Sequence, residues 1–296
     1  MATGDGPRVT DLRISGPWDG VSSLENSNCG RYYLANIFIV DPHRYGVAMG
    51  ASLDYSTMDN IEVWAPNSEL FFANGTGILI SGVDGLRASN VAVFRAAVGI
   101  EVVSEISGKP EHPSWVSFSN ILTDFCSRGL VISGSSNTVQ LSAGSFQNHQ
   151  TSLDIFGIGH SVRVSGSRFK SNGDVAVRIQ GPNAVTMSGS GIERVFSAVK
   201  GVPAVSIGTD EGQTVMISGC DMKASAAVAV DCAGTPMNSN VQPVECAGGS
   251  VIMGPNHMRV NISAPGMETE GERESGWGDV QENDVMRLRR ATVAVA

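Results

Sequence analysis

The feature that most constrains this chain is a recurrence. A short valine-led segment, a break of small residues and a large apolar residue return every couple of dozen positions, most plainly from Asn137 to Gly189. One register opens on a small polar residue with a large or apolar residue two places on. It reads Asn36-Ile-Phe38, Asn60-Ile-Glu62, Asn90-Val-Ala92, Asn120-Ile-Leu122, Gly144-Ser-Phe146, Ser167-Arg-Phe169, Ser190-Gly-Ile192 and Cys220-Asp-Met222, at steps of 24, 30, 30, 24, 23, 23 and 30 residues. Glu62 and Ala92 depart from the apolar rule, although Val63 and Val93 beside them keep a strand character. A second register precedes it: Val139-Gln-Leu141, Val162-Arg-Val164, Val185-Thr-Met187, Val215-Met-Ile217 and Val251-Ile-Met253. A third follows it, in Gly99 to Val103, Gly129 to Ile132, Leu153 to Phe156, Val175 to Ile179 and Ala226 to Val230.

Such strands cannot bury their inward side chains alone, but rungs stacked about 4.8 Å apart form a continuous core. Three registers recurring together predict an all-β fold, a right-handed parallel β-helix with three short strands per coil. An antiparallel sandwich also offers short strands and Gly-rich turns, yet it does not predict a shared 23- to 24-residue period. The rod is expected over residues 36–262. Residues 1–35, with GPWDG and NSNCGRYY, read as an N-terminal cap or a cut end. Residues 263–296 read as an acidic linker ending in a strand or arm, VMRLRRATVAVA, suited to pairing within the chain or between subunits.

Gly is 35 of 296 residues and charged residues are 17%, a balance that favours turns and short strands over helices. The net charge of −9 argues against non-specific nucleic-acid binding, though one local basic strip would suffice to hold an acidic glycan. No run of 18 apolar residues predicts membrane insertion. The start, MATGDGPRVTDLRI, lacks a basic segment followed by an apolar block, so synthesis in a cytosol without a signal peptide is expected. Five cysteines without CxxC spacing suggest neither a metal site nor a disulfide scaffold; Cys126 is expected to pack as a small hydrophobe. His43, His149 and His160 are too dispersed for a zinc set, and no cofactor motif is present.

On these coil registers, over residues 30–262, the chain resembles the pectate-lyase-like β-helix superfamily, and within it virion tailspikes and related phage appendages. The resemblance implies a homotrimeric spike on a virion or extracellular particle. Such a spike touches other virion proteins and recognises bacterial surface polysaccharide. It equally admits a polysaccharide lyase or hydrolase, or a purely architectural virion protein. The motifs of the enzymes are missing: no Asp cluster for calcium can be placed, and there is no DD pair or GHG.

Site expectations therefore rest on residue chemistry. The insertion from Ser104 to Trp115, SEISGKPEHPSW, gathers Glu105, Lys109, Glu111, His112 and Trp115 in one loop, where an indole can stack on a sugar and carboxylates can accept its hydroxyls. Coil alignment stacks Asp124, Asn148 and Ser171. Glu105, Glu111 and Asp124 are the candidate catalytic carboxylates, and Trp115, His112, Asp124, Asn148 and Lys170 the candidate ligand contacts. Lys170 and Glu193 are expected to lie one coil apart as an exterior ion pair, and Asp154, in LDIF, to face solvent. Trp64 and Phe94 hold corresponding places on successive coils.

Overall fold

The computed structural model describes residues 6–23, 30–52, 54–104, 112–148, 150–194, 202–208, 210–224, 230–232, 235–237, 244–246, 249–260 and 278–279. They form a strongly curled parallel β-sheet solenoid. In the first sheet, Arg8–Ser15, Tyr33–Val40, Ser56–Trp64, Leu86–Phe94 and Trp115–Asp124 pair in succession, all parallel. Beyond Asp124 each rung gives this sheet two short strands in place of one long one, beginning with Thr138–Ser142 and Ser145–Asn148. A second sheet stacks one strand per rung, from Asp19–Ser22 through Tyr45–Ser52, Thr76–Val83, Val98–Val103, Arg128–Ser133 and Thr151–Ile155 to Val230–Cys232. Three short antiparallel pairs, all after Val230, are the exceptions. The parallel ladder thus begins at Arg8, ahead of residue 36. Of the C-terminal segment only Gly278–Asp279 is described, paired antiparallel to Arg259 and Val260.

One backbone angle organises the first sheet. Asp11, Asn36, Asn60, Asn90 and Asn120 stack at the middle of the long strands, all with φ between 53° and 57°. Asn and Asp accept the left-handed region better than other side chains, and an amide can donate and accept at once. Asn36 donates to Asp11 (2.9 Å), Asn60 to Asn36 (2.9 Å), Asn90 to Asp59 (2.9 Å) and Asn120 to Asn90 (2.7 Å). Ala143, Gly166, Gly189 and Gly219 continue the column at φ 53° to 62° without the amide. The residue opposite Asn120 is therefore Ala143, not Gly144 as the repeat predicts. With that one-residue shift the inward side chain lies three places after the bend throughout: Ile39, Val63, Val93, Thr123, Phe146, Phe169, Ile192 and Met222. Glu62 and Ala92 are outward positions, not exceptions.

The core is a set of such columns. Val116, Val139, Val162, Val185, Val215 and Val251 stack as one, and Phe146 lies on Phe169 at 5.1 Å and 10° between rings. At the corner leading into the first sheet runs a buried polar column, Ser114, Asn137, His160, Asn183 and Gln213. The side chains of Ser114, Asn137, His160 and Asn183 satisfy backbone donors of the preceding rung, which would otherwise be lost in the interior. Ser114 N–H donates to Asn137 Oδ1 (2.7 Å), Asn137 N–H to His160 Nδ1 (3.1 Å) and His160 N–H to Asn183 Oδ1 (2.8 Å). His160 Nε2–H then donates to Phe156 O (3.0 Å), so the ring is neutral, and burial lowers its pKa. Cys126, Cys220 and Cys232 are buried, and burial pushes Cys126 up to about 12, as suits a packing residue.

Candidate functional site

The loop that gathers the expected sugar-contacting residues is only partly visible: Glu105 and Glu111 lie outside the described residues. His112 is exposed, with its N–H on Ser104 O at 2.9 Å. Trp115 is 56% exposed and opens the strand that Asp124 closes, so the Asn120 bend separates the two. Asp124 stacks between Phe94 and Gln147, not beside Asn148 as expected, because the register slips by the same single residue. Asn148 instead stands opposite Ser171, and nothing is described of its side chain. Lys170 follows Gln147 in the Asp124 column and precedes Glu193. Glu193 takes its cations from Arg168 and Lys223, each at 3.3 Å, in place of a contact pair with Lys170. Burial alone would raise its carboxyl; those two hydrogen-bonded cations bring it below the usual range. Trp64 and Phe94 do occupy one column, and Trp64 points outward, stacked on Phe38 with centroids 6.5 Å apart.

Two other places have more built character. The first is a groove of about 530 Å³ over five rungs of the first sheet. The rungs that shape it read Val-Ser-Phe-Ser119, Val-Gln-Leu-Ser142, Val-Arg-Val-Ser165 and Val-Thr-Met-Ser188, their apolar residues inward and the others outward. Strand alternation fixes this: the outward residues form two parallel columns about 7 Å apart. One column runs Arg87, Ser117, Gln140, Arg163, Thr186; the other runs Ser89, Ser119, Ser142, Ser165, Ser188. Among the described residues no carboxylate lines the groove. Arg87 lies over the Tyr55 ring at 4.8 Å, and neither it nor Arg163 forms an ion pair among the described residues. Sequence reasoning recorded the alternation and passed over the closing serine, which was the available signal.

The second is a carboxyl pair on the outward column of the second sheet, where Glu101, Val131, Asp154 and Arg178 are successive. Asp154 was expected to face solvent; it is outward but only 4% exposed, on a sheet face where Leu79 and Val131 are buried too. Its Oδ2 meets Arg178 at 3.5 Å and Arg128 at 3.9 Å, while Oδ1 is buried without a hydrogen bond among the described residues. Burial raises the Asp154 carboxyl above its ordinary range, with Arg178 and Arg128 opposing. Burial likewise raises Glu101, against Arg128 and a 3.5 Å contact from the Thr76 hydroxyl. Two rungs separate their backbones, roughly 9.5 Å.

No family model, no curated protein and no solved structure matches the chain. Among the described residues no group of three or more His, Cys, Asp or Glu side chains is placed to hold a metal ion, and no helix is long and apolar enough to cross a membrane.

Proposed function

We propose that the chain is a right-handed β-helix with three strand segments per coil, a tailspike-like subunit of a virion appendage that contacts host surface polysaccharide. The observation that carries this reading is the groove between Arg87 and Ser188. Hydroxyls, an amide and guanidinium groups repeat there at the rung spacing along a rigid support. A linear polymer of hydroxylated units is the ligand class that such a periodic, polar and shallow surface suits. The bend and corner columns make the rod stiff, as an extended appendage requires. Association as a trimer would shelter the exposed aromatic side chains Trp64 and Phe125. Light scattering is expected to give a mass three times 31.0 kDa, and a panel of bacterial surface polysaccharides to yield at least one that binds without being shortened. A monomer that binds none of them would sink this reading.

Glu101 and Asp154 favour a second reading, a glycoside hydrolase on the same scaffold. Two carboxyls on one face, both held above the usual range and roughly 9.5 Å apart at the backbone, approach the arrangement of an acid and a base flanking a water. Glu101→Gln and Asp154→Asn would each abolish any release of shortened polymer in the same panel. If shortening persists in both variants, the pair is not the machinery.

A further inference from the structure

We infer that the groove takes an acidic polysaccharide, with Arg87 and Arg163 as its two anion-binding points; this rests on the saccharide-contact reading above. The chain carries a net charge of −9, so a polyanion is repelled by the molecule as a whole and needs a local basic strip. Coil stacking builds one from residues far apart in sequence. Arg87 and Arg163 stand in one outward column, three rungs apart, with Ser117 and Gln140 between them. The span is roughly 14 Å.

The chemistry of the lining selects the sign of the ligand. Among the described residues its charged side chains are these two arginines, and every other outward group of the lining is a hydroxyl or an amide. A guanidinium left without a carboxylate presents a planar fork of donors that matches a carboxylate or sulfate group. Asp59 stands one rung before Ser89 in the serine column, and its carboxylate is taken by Ser89 Oγ at 2.6 Å and Asn90 at 2.9 Å. Those bonds lower its pKa and hold its Oδ1 as the acceptor for Ser89 and Asn90. Between the arginines, the serine column and Gln140 offer donors and acceptors at every rung, which suits the sugar hydroxyls between successive acid groups. Only a chain long enough to bridge both points gains from the two together, so a polymer is favoured strongly over a single acidic sugar.

The test uses the full chain and two polymers with the same backbone, dextran sulfate and unmodified dextran, titrated calorimetrically at low and high salt. Binding to dextran sulfate that weakens steeply with salt, with little or no binding to dextran, is expected. Arg87→Gln and Arg163→Gln should each weaken it about tenfold, whereas Arg13→Gln, outside the groove, should leave it unchanged. The Arg87→Lys, Arg163→Lys double variant keeps both charges and should hold within a few-fold of the wild type, which separates lost charge from lost fold. Equal binding of the two polymers, or full binding by the double Gln variant, overturns the inference. A neutral bacterial polysaccharide bound regardless of both arginines would remove the acidic class and leave the surface-polysaccharide reading standing. Failure with every polymer would remove both.

Discussion

The rungs before Asp124 and those after Thr138 solve the same bend in two ways. In the N-terminal rungs a single long strand turns at Asn or Asp, and the side-chain amides bridge from rung to rung on the outside. In the C-terminal rungs the strand is split, and Ala143 and then glycine supply the same φ without a bridge. The exterior differs in step. Aromatic rings under arginines mark the first rungs, with Arg8 over Tyr33 and Arg13 over Phe38, and serines mark the later ones. The shared requirement is the backbone angle; the residue that meets it is chosen by what else the position must do.

The sharpest way to break the comparison is at the entry to the second sheet. Gly46, Gly77 and Gly99 stack there against Val63, Val93 and Thr123, whereas Ser152, Ala176 and Ala204 hold the same column further on. A Cβ on Gly77 would lie 2.3 Å from Val93 Cγ1 and 2.6 Å from the Gly99 carbonyl. Gly77→Ala is expected to cost about 3 kcal/mol in denaturant unfolding. Adding Val93→Ala should return only part of it, because the carbonyl remains. An unchanged midpoint would mean that the N-terminal rungs are packed no more tightly than the later ones.

Asn90→Ala comes next. It removes the bonds to Asp59 and Asn120 and keeps the left-handed angle, so a loss of about 1–2 kcal/mol is expected. Comparable in size is the acid response of His160. Its folded pKa lies below its ordinary value, so the unfolded chain binds the proton more readily. Stability is therefore lost as pH falls below about 6.5, by at most about 1.4 kcal/mol per pH unit. The raised carboxyls of Glu101 and Asp154 act in the opposite sense, favouring the fold at low pH, and cancel when wild type and His160→Asn are compared. Asn keeps the acceptor, as at Asn137 and Asn183, so the acid loss should vanish in that variant. The smallest effect is Gly166→Asn. A Cβ there meets nothing within 4 Å and Asn tolerates φ +55°, so the change should stay within about 0.5 kcal/mol.

The solenoid was legible because apolar periodicity and small-residue breaks are written directly in the chain. The bend column was legible as asparagines but misplaced after Asn120, since Ala143 carries neither an amide nor glycine's freedom and gives no local sign of a left-handed angle. The groove was half visible, as the Val-x-apolar-Ser run of four successive rungs, yet Arg87 and Arg163 read as unrelated until stacking put them in one column. Alternation places Asp154 on the outward face correctly. It carries no information about whether that face is covered, so the buried Oδ1 could not be foreseen.

The most direct measurement is a crystal structure with an oligosaccharide cut from whichever surface polysaccharide binds. Density running along Ser119, Ser142 and Ser165, with acid groups on Arg87 and Arg163, is the expected result. Density on the second sheet over Glu101 and Asp154, with the serine groove empty, would contradict it.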